Sequence, residues 1–171
     1  MRCRRGERAA WEELVAEFER PLFYYVRRMV RGSDEAWVVL QETWVRVFSS
    51  LATLEDPARL APWLYSVARN TLKQHVAELA NERHVPTDLA DVQDPLTLDS
   101  AEHDPERVHA ALAELPLLQR EVIVLFFLDD LSVQAIAEVL NIPVGTVKSR
   151  LHHARRSLHE VLSRLEARHE R

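Results

Sequence analysis

Residues 131–158, LSVQAIAEVLNIPVGTVKSRLHHARRSL, constrain the chain more than any other stretch because two helical patterns meet there at a short turn. In the first pattern, apolar residues recur three and four positions apart after Ser132, a residue type that commonly caps a helix N-terminus. Asn141 tolerates the left-handed conformation that ends a helix, and Pro143 is compatible with the start of the next one. The stretch therefore predicts two helices joined by a tight turn.

The second helix of this pair has one apolar side and one basic, polar side. The predicted inner residues are Val147, Leu151, Ala154, Leu158 and Leu165. At about 100° per residue, the opposite side and its flanks are occupied by Thr146, Lys148, Ser149, Arg150, His152, His153, Arg155 and Arg156. Residues 145–158 carry four fixed positive charges and no acidic residue. Such a face suits the DNA major groove, where cations meet phosphates and short polar groups reach base edges.

Two other interpretations of this helix stay open. A packed helical hairpin with a merely solvated basic face would show the same periodicity. His152 and His153, with His159 one heptad after His152, also suggest a metal site, but no carboxylate or cysteine completes a ligand set. We therefore expect no metal, and we interpret the imidazoles as polar groups of a DNA-contacting face.

The chain as a whole is predicted to be all-α, with two small helical domains joined by a flexible linker. Strand-like alternation is absent, and only three glycines interrupt strongly periodic helical segments. The domains are expected at residues 5–80 and 107–165, and the linker at residues 81–106. Residues 81–107 contain eight acidic and two basic residues, so the net charge of −5 is concentrated there and does not argue against a nucleic-acid partner.

Apolar spacing in the first domain predicts helices over residues 7–31, from about Asp34 to Leu51 and from Pro62 or Trp63 to about Asn81. Pro21 is expected to break the first of these into two. Gly32 and Ser33 are expected to form a turn and cap before the next helix. Residues 52–61 are expected to form a loop, because Pro57 within this range and Pro62 directly after it interrupt the helical pattern.

Two more helices are predicted ahead of the turn motif, as a scaffold behind it. Their apolar stripes are Val108, Ala111, Leu112 and Leu115 in the first, and Leu118, Val122, Leu125 and Phe126 in the second. No apolar run approaches the roughly 18 residues needed to cross a bilayer, and the single cysteine, Cys3, cannot form an internal disulfide. A cytoplasmic protein without membrane insertion is therefore expected.

Several strings resemble one protein family. IPVGTVKSRLHHAR and the preceding LAELPLLQREVIVLFFLDDLSVQAIAEVL are similar to region 4 of the extracytoplasmic-function class of bacterial sigma factors. GERAAWEELVAEFERPLFYYVRRMVRG resembles the opening of sigma region 2, and QETWVRVF resembles the second half of its polymerase-binding helix. WLYSVARNTLKQH resembles the segment that opens and reads the minus-10 promoter element. The resemblance covers nearly the whole chain outside the linker.

This resemblance implies an alternative sigma factor that binds core RNA polymerase and directs promoter-specific transcription initiation. It places minus-35 contacts at Thr146, Lys148, Ser149, His152, His153, Arg155 and Arg156. It places minus-10 contacts at Arg69, Asn70 and Lys73, and polymerase contacts at Glu35, Trp37, Val38, Gln41 and Glu42. An anti-sigma factor is implied as a further partner, and neither enzymatic activity nor a cofactor is expected.

The sequence departs from the family at its polymerase-binding helix. Where the family typically has Asp-Ala-Glu-Asp before Gln-Glu, Trp37 and Val38 replace two acids, and an exposed Trp37 would make a more apolar contact. His153 stands where the family usually has arginine. Two alternative functions follow: a sigma-like module that titrates an anti-sigma factor, or a regulator that uses only the helix-turn-helix. Binding to core polymerase separates the sigma factor from both.

Overall fold

The computed structural model describes residues 2–83, 104–128 and 130–169 of the 171-residue chain. The helices are α1 (Arg8–Arg27), α2 (Ser33–Ser50), α3 (Leu60–Arg83), α4 (Asp104–Ala113), α5 (Leu117–Ile123), α6 (Val133–Leu140) and α7 (Val144–His169). These ranges contain no strand, and the predicted all-α fold is confirmed. None of these helices is both long and apolar enough to cross a membrane. Most of the predicted linker, residues 84–103, lies outside the described residues.

The described chain divides into two compact units, the first built from α1, α2 and α3 and the second built on α4, α5 and α7. In the first unit, α2 packs against both α1 and α3. Each helix contributes one apolar stripe to a shared core, which includes Leu14, Leu22, Tyr25, Val26, Ala36, Val39, Leu40, Val47, Leu64, Tyr65, Ala68 and Leu72. The rings of Tyr25 and Tyr65 meet edge to face, with centroids 5.5 Å apart, and join α1 to α3.

The predicted break at Pro21 is wrong, because α1 continues through this residue as one helix of 20 residues. A proline inside a helix forfeits one hydrogen bond and costs about 3 kcal/mol. Leu14, before the proline, and Leu22 and Tyr25, after it, are all buried in the core. Burial on both sides of Pro21 outweighs this local cost, so tertiary packing overrides the helix-breaking tendency.

The predicted cap at Ser33 is also wrong, because Ser33 is already the first residue of α2. Gly32 occupies the cap position in an extended conformation and has no side chain to contribute. The Ser33 Oγ instead accepts a hydrogen bond from Arg27 Nε at 3.2 Å. Glu35 accepts the backbone N–H of Arg31 at 3.2 Å, so this acid supports the N-terminus of α2 from within its first turn.

The segment predicted as a loop between α2 and α3 contains two short 3₁₀ turns, Leu51–Thr53 and Pro57–Arg59. The Asp56 side chain caps the second turn by accepting a backbone N–H at 2.9 Å. α3 then begins at Leu60, two residues before the expected start at Pro62. Pro62 lies in the first turn, where a helix has no hydrogen-bond partner for the missing N–H.

The turn motif between α6 and α7 confirms the predictions made from its capping residues. Ser132 Oγ accepts the backbone N–H of Ala135 at 3.1 Å and caps α6. Asn141 has φ +53°, the left-handed conformation expected at the end of a helix. The next N–H, from Ile142, donates to the carbonyl oxygen of Ala137 at 3.1 Å and closes the end of α6.

In the second unit, α7 packs against both α5 and α4, as the scaffold prediction requires. The buried apolar residues of these three helices are Ala111, Leu112, Val122, Ile123, Val147, Leu151, Ala154 and Val161, and Leu115 of the α4–α5 connection is buried with them. Two predicted inner residues of α7, Leu158 and Leu165, are only half-buried, and Val161 is buried on that side instead. Val108 and Leu118 of the predicted stripes are exposed, so the core is narrower than the periodicity indicated.

Arg120 on α5 is a buried cation that ties the end of α4 to α5. Its Nη2 donates to the carbonyl oxygens of Ala113 at 2.6 Å and Leu115 at 3.1 Å. Burial lowers the pKa of Arg120 below the ordinary range of a guanidinium. Hydrogen bonds from a charged donor are the stronger ones, so this side chain fixes the connection between the two helices.

Replacing Arg120 with methionine should destabilise the second unit by about 3 kcal/mol, because one buried and one partly buried carbonyl oxygen lose a charged donor. Urea titration followed by far-UV circular dichroism measures this loss. The four tryptophans all lie in the first unit, at positions 11, 37, 44 and 63, so their fluorescence transition should not move. The matched control is Arg164→Met, which removes an exposed pair with Glu114 and should cost less than about 1 kcal/mol. Equal effects of the two changes would contradict this role for Arg120.

Candidate functional site

The predicted DNA-contacting residues share one exposed side of α7. This helix begins at Val144, directly after Pro143, as the sequence indicated. Val147, Leu151 and Ala154 are buried on the side that packs into the unit. The opposite side, called here the basic face of α7, consists of half-buried Thr146 and exposed Lys148, Ser149, His152, His153, Arg155 and Arg156. The structure therefore brings all seven predicted minus-35 residues onto one surface.

Several side chains of the basic face of α7 have partners within the helix. The Ser149 hydroxyl donates to the Thr146 carbonyl oxygen at 3.0 Å. The rings of His152 and His153 lie edge to face with centroids 5.6 Å apart. Arg156 Nε lies 3.1 Å from Glu160 Oε1, but both side chains are well exposed. An exposed pair of this kind is weak, so Arg156 can exchange the carboxylate for a phosphate at little cost.

No group of three or more histidine, cysteine, aspartate or glutamate side chains in the described part of the chain is arranged to hold a metal ion. Gly145, in the first turn of α7, has open space within 4 Å of the position that a Cβ would take. Packing within the protein therefore does not require a glycine at this position.

The three predicted minus-10 residues on α3 differ in exposure. Asn70 is exposed and Lys73 is half-buried, so both reach the surface of the first unit. Arg69 is 8% exposed, because it follows buried Tyr65 by one helical turn and is drawn into the same side of α3. DNA contact by Arg69 would require its side chain to leave this buried position.

The predicted polymerase-binding helix, α2, exposes large apolar side chains. Trp37 is 44% exposed and Val38 is 52% exposed, as the sequence indicated for an apolar contact. Val45 and Phe48, at 63% and 50% exposure, continue the same side of the helix and were not among the predicted contact residues. Val45 and Phe48 follow Trp37 by eight and eleven residues, and this helical spacing in the sequence predicts that they lie on the same side of α2 as Trp37. These four residues are called here the apolar face of α2.

Two aromatic pairs hold the apolar face of α2 against α1. Phe23 lies against Trp37 with ring centroids 4.4 Å apart, and Trp11 lies against Phe48 at 4.3 Å. Gln41 is the exposed polar residue between them. A group of exposed apolar side chains on one face of a folded unit is a common feature of protein-interaction sites.

The two acidic residues of the predicted polymerase contact are engaged within the first unit. The Glu35 carboxylate accepts the Arg31 N–H and has its other oxygen 3.4 Å from His75 Nε2 on α3. Glu42 pairs with Arg46, whose Nη2 also donates to Gln74 Oε1 at 2.8 Å. Glu35 therefore has a partner on α3, and Glu42 is connected to α3 only through Arg46, while Trp37, Val38 and Gln41 are the uncharged residues of the predicted contact.

Comparison with known proteins matches both units to one family. The family model for Sigma-70 region 2 matches residues 14–81, and the model for Sigma-70, region 4 matches residues 106–158. The RNA polymerase sigma-H factor of Pseudomonas aeruginosa is 28% identical over 96% of this chain and 92% of its own length. The ECF RNA polymerase sigma factor SigW of Bacillus subtilis is 26% identical over 93% of this chain and 92% of its own length.

Two solved structures share the fold. The sigma factor RpoE of Bartonella quintana, in complex with the anti-sigma factor NepR, has a TM-score of 0.74 at 23% identity and covers 90% of this chain and 97% of its own. CnrH, in complex with the cytosolic domain of CnrY, has a TM-score of 0.67 at 25% identity and covers 92% of this chain and 90% of its own. With a region 2 unit and a region 4 unit in the expected order, the chain belongs to the sigma-70 family, in its extracytoplasmic-function class.

Proposed function

We propose that this chain is an alternative sigma factor that binds core RNA polymerase and directs transcription initiation at a specific set of promoters. The observation that carries the proposal is the presence of two exposed faces on one chain. The apolar face of α2 lies in the region 2 match and suits a protein partner. The basic face of α7 lies in the region 4 match and suits DNA. The protein then acts in the cytoplasm, with no catalytic chemistry of its own.

Each unit has its own task in this function. Residues 5–80 form the domain that binds polymerase and the minus-10 element, and residues 107–165 form the domain that binds the minus-35 element. The two family matches, over residues 14–81 and 106–158, support these bounds. An anti-sigma factor is a further partner, supported by the fold shared with RpoE, whose solved structure contains one.

The minus-35 element is read by the basic face of α7 in the major groove. Thr146 and Ser149, near the N-terminus of the helix, are short enough to approach base edges, together with Lys148, His152 and His153. Arg155 and Arg156 anchor the helix through phosphates. Each phosphate contact adds about 0.9 to the slope of log affinity against log salt on duplex DNA, so affinity should fall steeply as salt rises.

The minus-10 element is contacted from α3. Asn70 and Lys73 reach the surface of the first unit and are the residues that we assign to this contact. Arg69 joins them only if binding draws its side chain out of the core, since the structure holds it at 8% exposure. An Asn70→Ala change should therefore weaken promoter opening and leave the stability of the first unit unchanged. A change at Arg69 would also disturb the packing of α3.

Core polymerase is bound mainly through apolar contact. Trp37 and Val38 occupy the predicted contact helix, while Glu35 and Glu42 already have partners within the unit. Gln41 supplies a polar group at the centre of this surface. A contact of this composition depends on burial of apolar area rather than on ion pairs, so salt should affect it little.

The first experiment is run-off transcription with purified core polymerase on genomic DNA fragments, with and without this protein. We expect new start sites that share two spaced upstream elements, because both DNA-contacting units act on one promoter. Core binding is measured in parallel by pull-down. An absence of both transcripts and core binding would favour the alternative module that titrates an anti-sigma factor. DNA binding without core binding would favour a helix-turn-helix regulator.

Changing Trp37 or Val38 to serine should weaken binding to core polymerase by about tenfold or more each. Burial of a large apolar side chain contributes about 1.5–3 kcal/mol, and about 1.4 kcal/mol corresponds to a factor of ten in affinity. Biolayer interferometry with immobilised core polymerase measures the dissociation constant at low and high salt. The control is Val108→Ser, an exposed valine of the second unit. Unchanged affinity of the Trp37 and Val38 variants would remove this surface from the contact.

Promoter affinity should rise as the pH falls from about 8 to about 6, the interval in which imidazoles commonly gain a proton. Protonated His152 and His153 add positive charge to the basic face of α7 and strengthen its attraction to phosphates. Fluorescence anisotropy on a mapped promoter fragment measures the slope. If His152→Gln with His153→Gln leaves the pH slope intact, the histidines are not its cause.

A further inference from the structure

Arg155 of the basic face of α7 lies over two aromatic rings. Its guanidinium carbon is 5.3 Å from the ring centroid of Phe126 and 5.1 Å from that of Phe127. The two rings meet edge to face, with centroids 4.9 Å apart and an interplanar angle of 80°. Both guanidinium separations fall within the range in which a cation is attracted to an aromatic face.

Core packing does not explain this arrangement. Phe127 is 53% exposed, so a phenyl ring at this position leaves half of its surface in water. Phe126 and Phe127 lie in a π-helical turn, Val124–Leu128, that follows α5, the helix against which α7 packs. Such turns are rare and often occur at functional sites. The turn brings both rings to the flank of α7 that carries Arg155.

We propose that Phe126 and Phe127 are positioning residues that hold Arg155 ready to bind a DNA phosphate. Attraction of a guanidinium to an aromatic face uses none of its N–H hydrogen bonds, so these groups remain able to bind phosphate in a forked geometry. The inference rests on the proposed binding of DNA by the basic face of α7. It assigns to Phe126 and Phe127 a role in DNA affinity that their apolar character did not indicate.

The two rings contribute to affinity by restricting the Arg155 side chain before DNA binds. A free arginine side chain loses much rotamer freedom when it binds, and a side chain already held in the bound conformation avoids most of that cost. Arg155 also lies beside the base-reading side of α7, between Lys148 and the inner stripe, where a recognition helix meets the phosphates that line the groove. The rings therefore supply affinity without sequence preference, and the charge that binds remains that of Arg155.

The test is a double-mutant cycle on the full chain bound to core polymerase, with a promoter fragment mapped by run-off transcription as the probe. Phe127→Leu keeps apolar bulk and removes the ring, and it should weaken binding about three- to tenfold, with an unchanged salt slope. Arg155→Gln should weaken binding and lower the salt slope by about 0.9. In the Arg155→Gln background, Phe127→Leu should have no further effect.

A conservative variant and an independent variant complete the design. Phe127→Trp keeps an aromatic face and should retain the affinity of the natural protein. Lys148→Gln, which lies outside the aromatic contact, should weaken binding equally with phenylalanine or leucine at position 127. Thermal unfolding of each variant shows whether the second unit stays folded.

Three results would overturn the inference. Equal losses from Phe127→Leu with and without the Arg155→Gln change would show a merely structural effect of the ring. A gain in affinity from Phe127→Leu would show that the rings hold Arg155 away from DNA. Full affinity in Phe127→Leu and Arg155→Gln, with a loss in Lys148→Gln, would remove Arg155 from the contact while leaving the proposed function intact. If Lys148→Gln and Arg156→Gln also retain full affinity, the DNA-binding role of α7 itself fails.

Discussion

Burial of one narrow apolar stripe on α7 is the contact on which the DNA-facing part of the protein depends. Val147, Leu151, Ala154 and Val161 are buried in the unit where α5 and α4 pack against this helix. Because side chains repeat around a helix about every 3.6 residues, fixing the inner stripe also fixes which residues are exposed. The basic face of α7 needs no separate support for its orientation. A helix with apolar residues on two sides would have no such preferred rotation, and its cations would not form one surface.

In the first unit, packing also determines which side of a helix is exposed, but the exposed side of α2 is apolar. The apolar arc of α2 is wider than α1 and α3 can cover, so Ala36, Val39 and Val47 enter the core while the apolar face of α2 stays exposed. The flanking rings of Trp11 and Phe23 cover only part of this surface. Two acidic residues of the same helix have partners within the unit, because Glu35 lies beside His75 of α3 and Glu42 pairs with Arg46, which donates to Gln74 of α3. One helix thus serves the core on one side and a protein partner on the other.

Predictions that depend on a few neighbouring residues were confirmed at the turn between α6 and α7. Ser132 caps α6 and Asn141 adopts the left-handed conformation, because each outcome is decided by one side chain and the adjacent backbone. The predicted break at Pro21 failed, since residues buried on both sides of the proline hold α1 together. The cap expected at Ser33 also failed, because Gly32 occupies the cap position and the Ser33 hydroxyl accepts a hydrogen bond from Arg27 instead.

The amino-acid sequence by itself determined the all-α class, the helix-turn-helix with its basic face on α7, and the exposure of Trp37 and Val38. Periodicity and capping carry this information because they act over one or two helical turns. Only the tertiary structure decided where side chains at the border of a stripe point. It buries Arg69 beside Tyr65, gives Glu35 a partner on α3 and lays Arg155 over Phe126 and Phe127. Border residues meet neighbours from other helices, and those contacts form only when distant parts of the chain pack together.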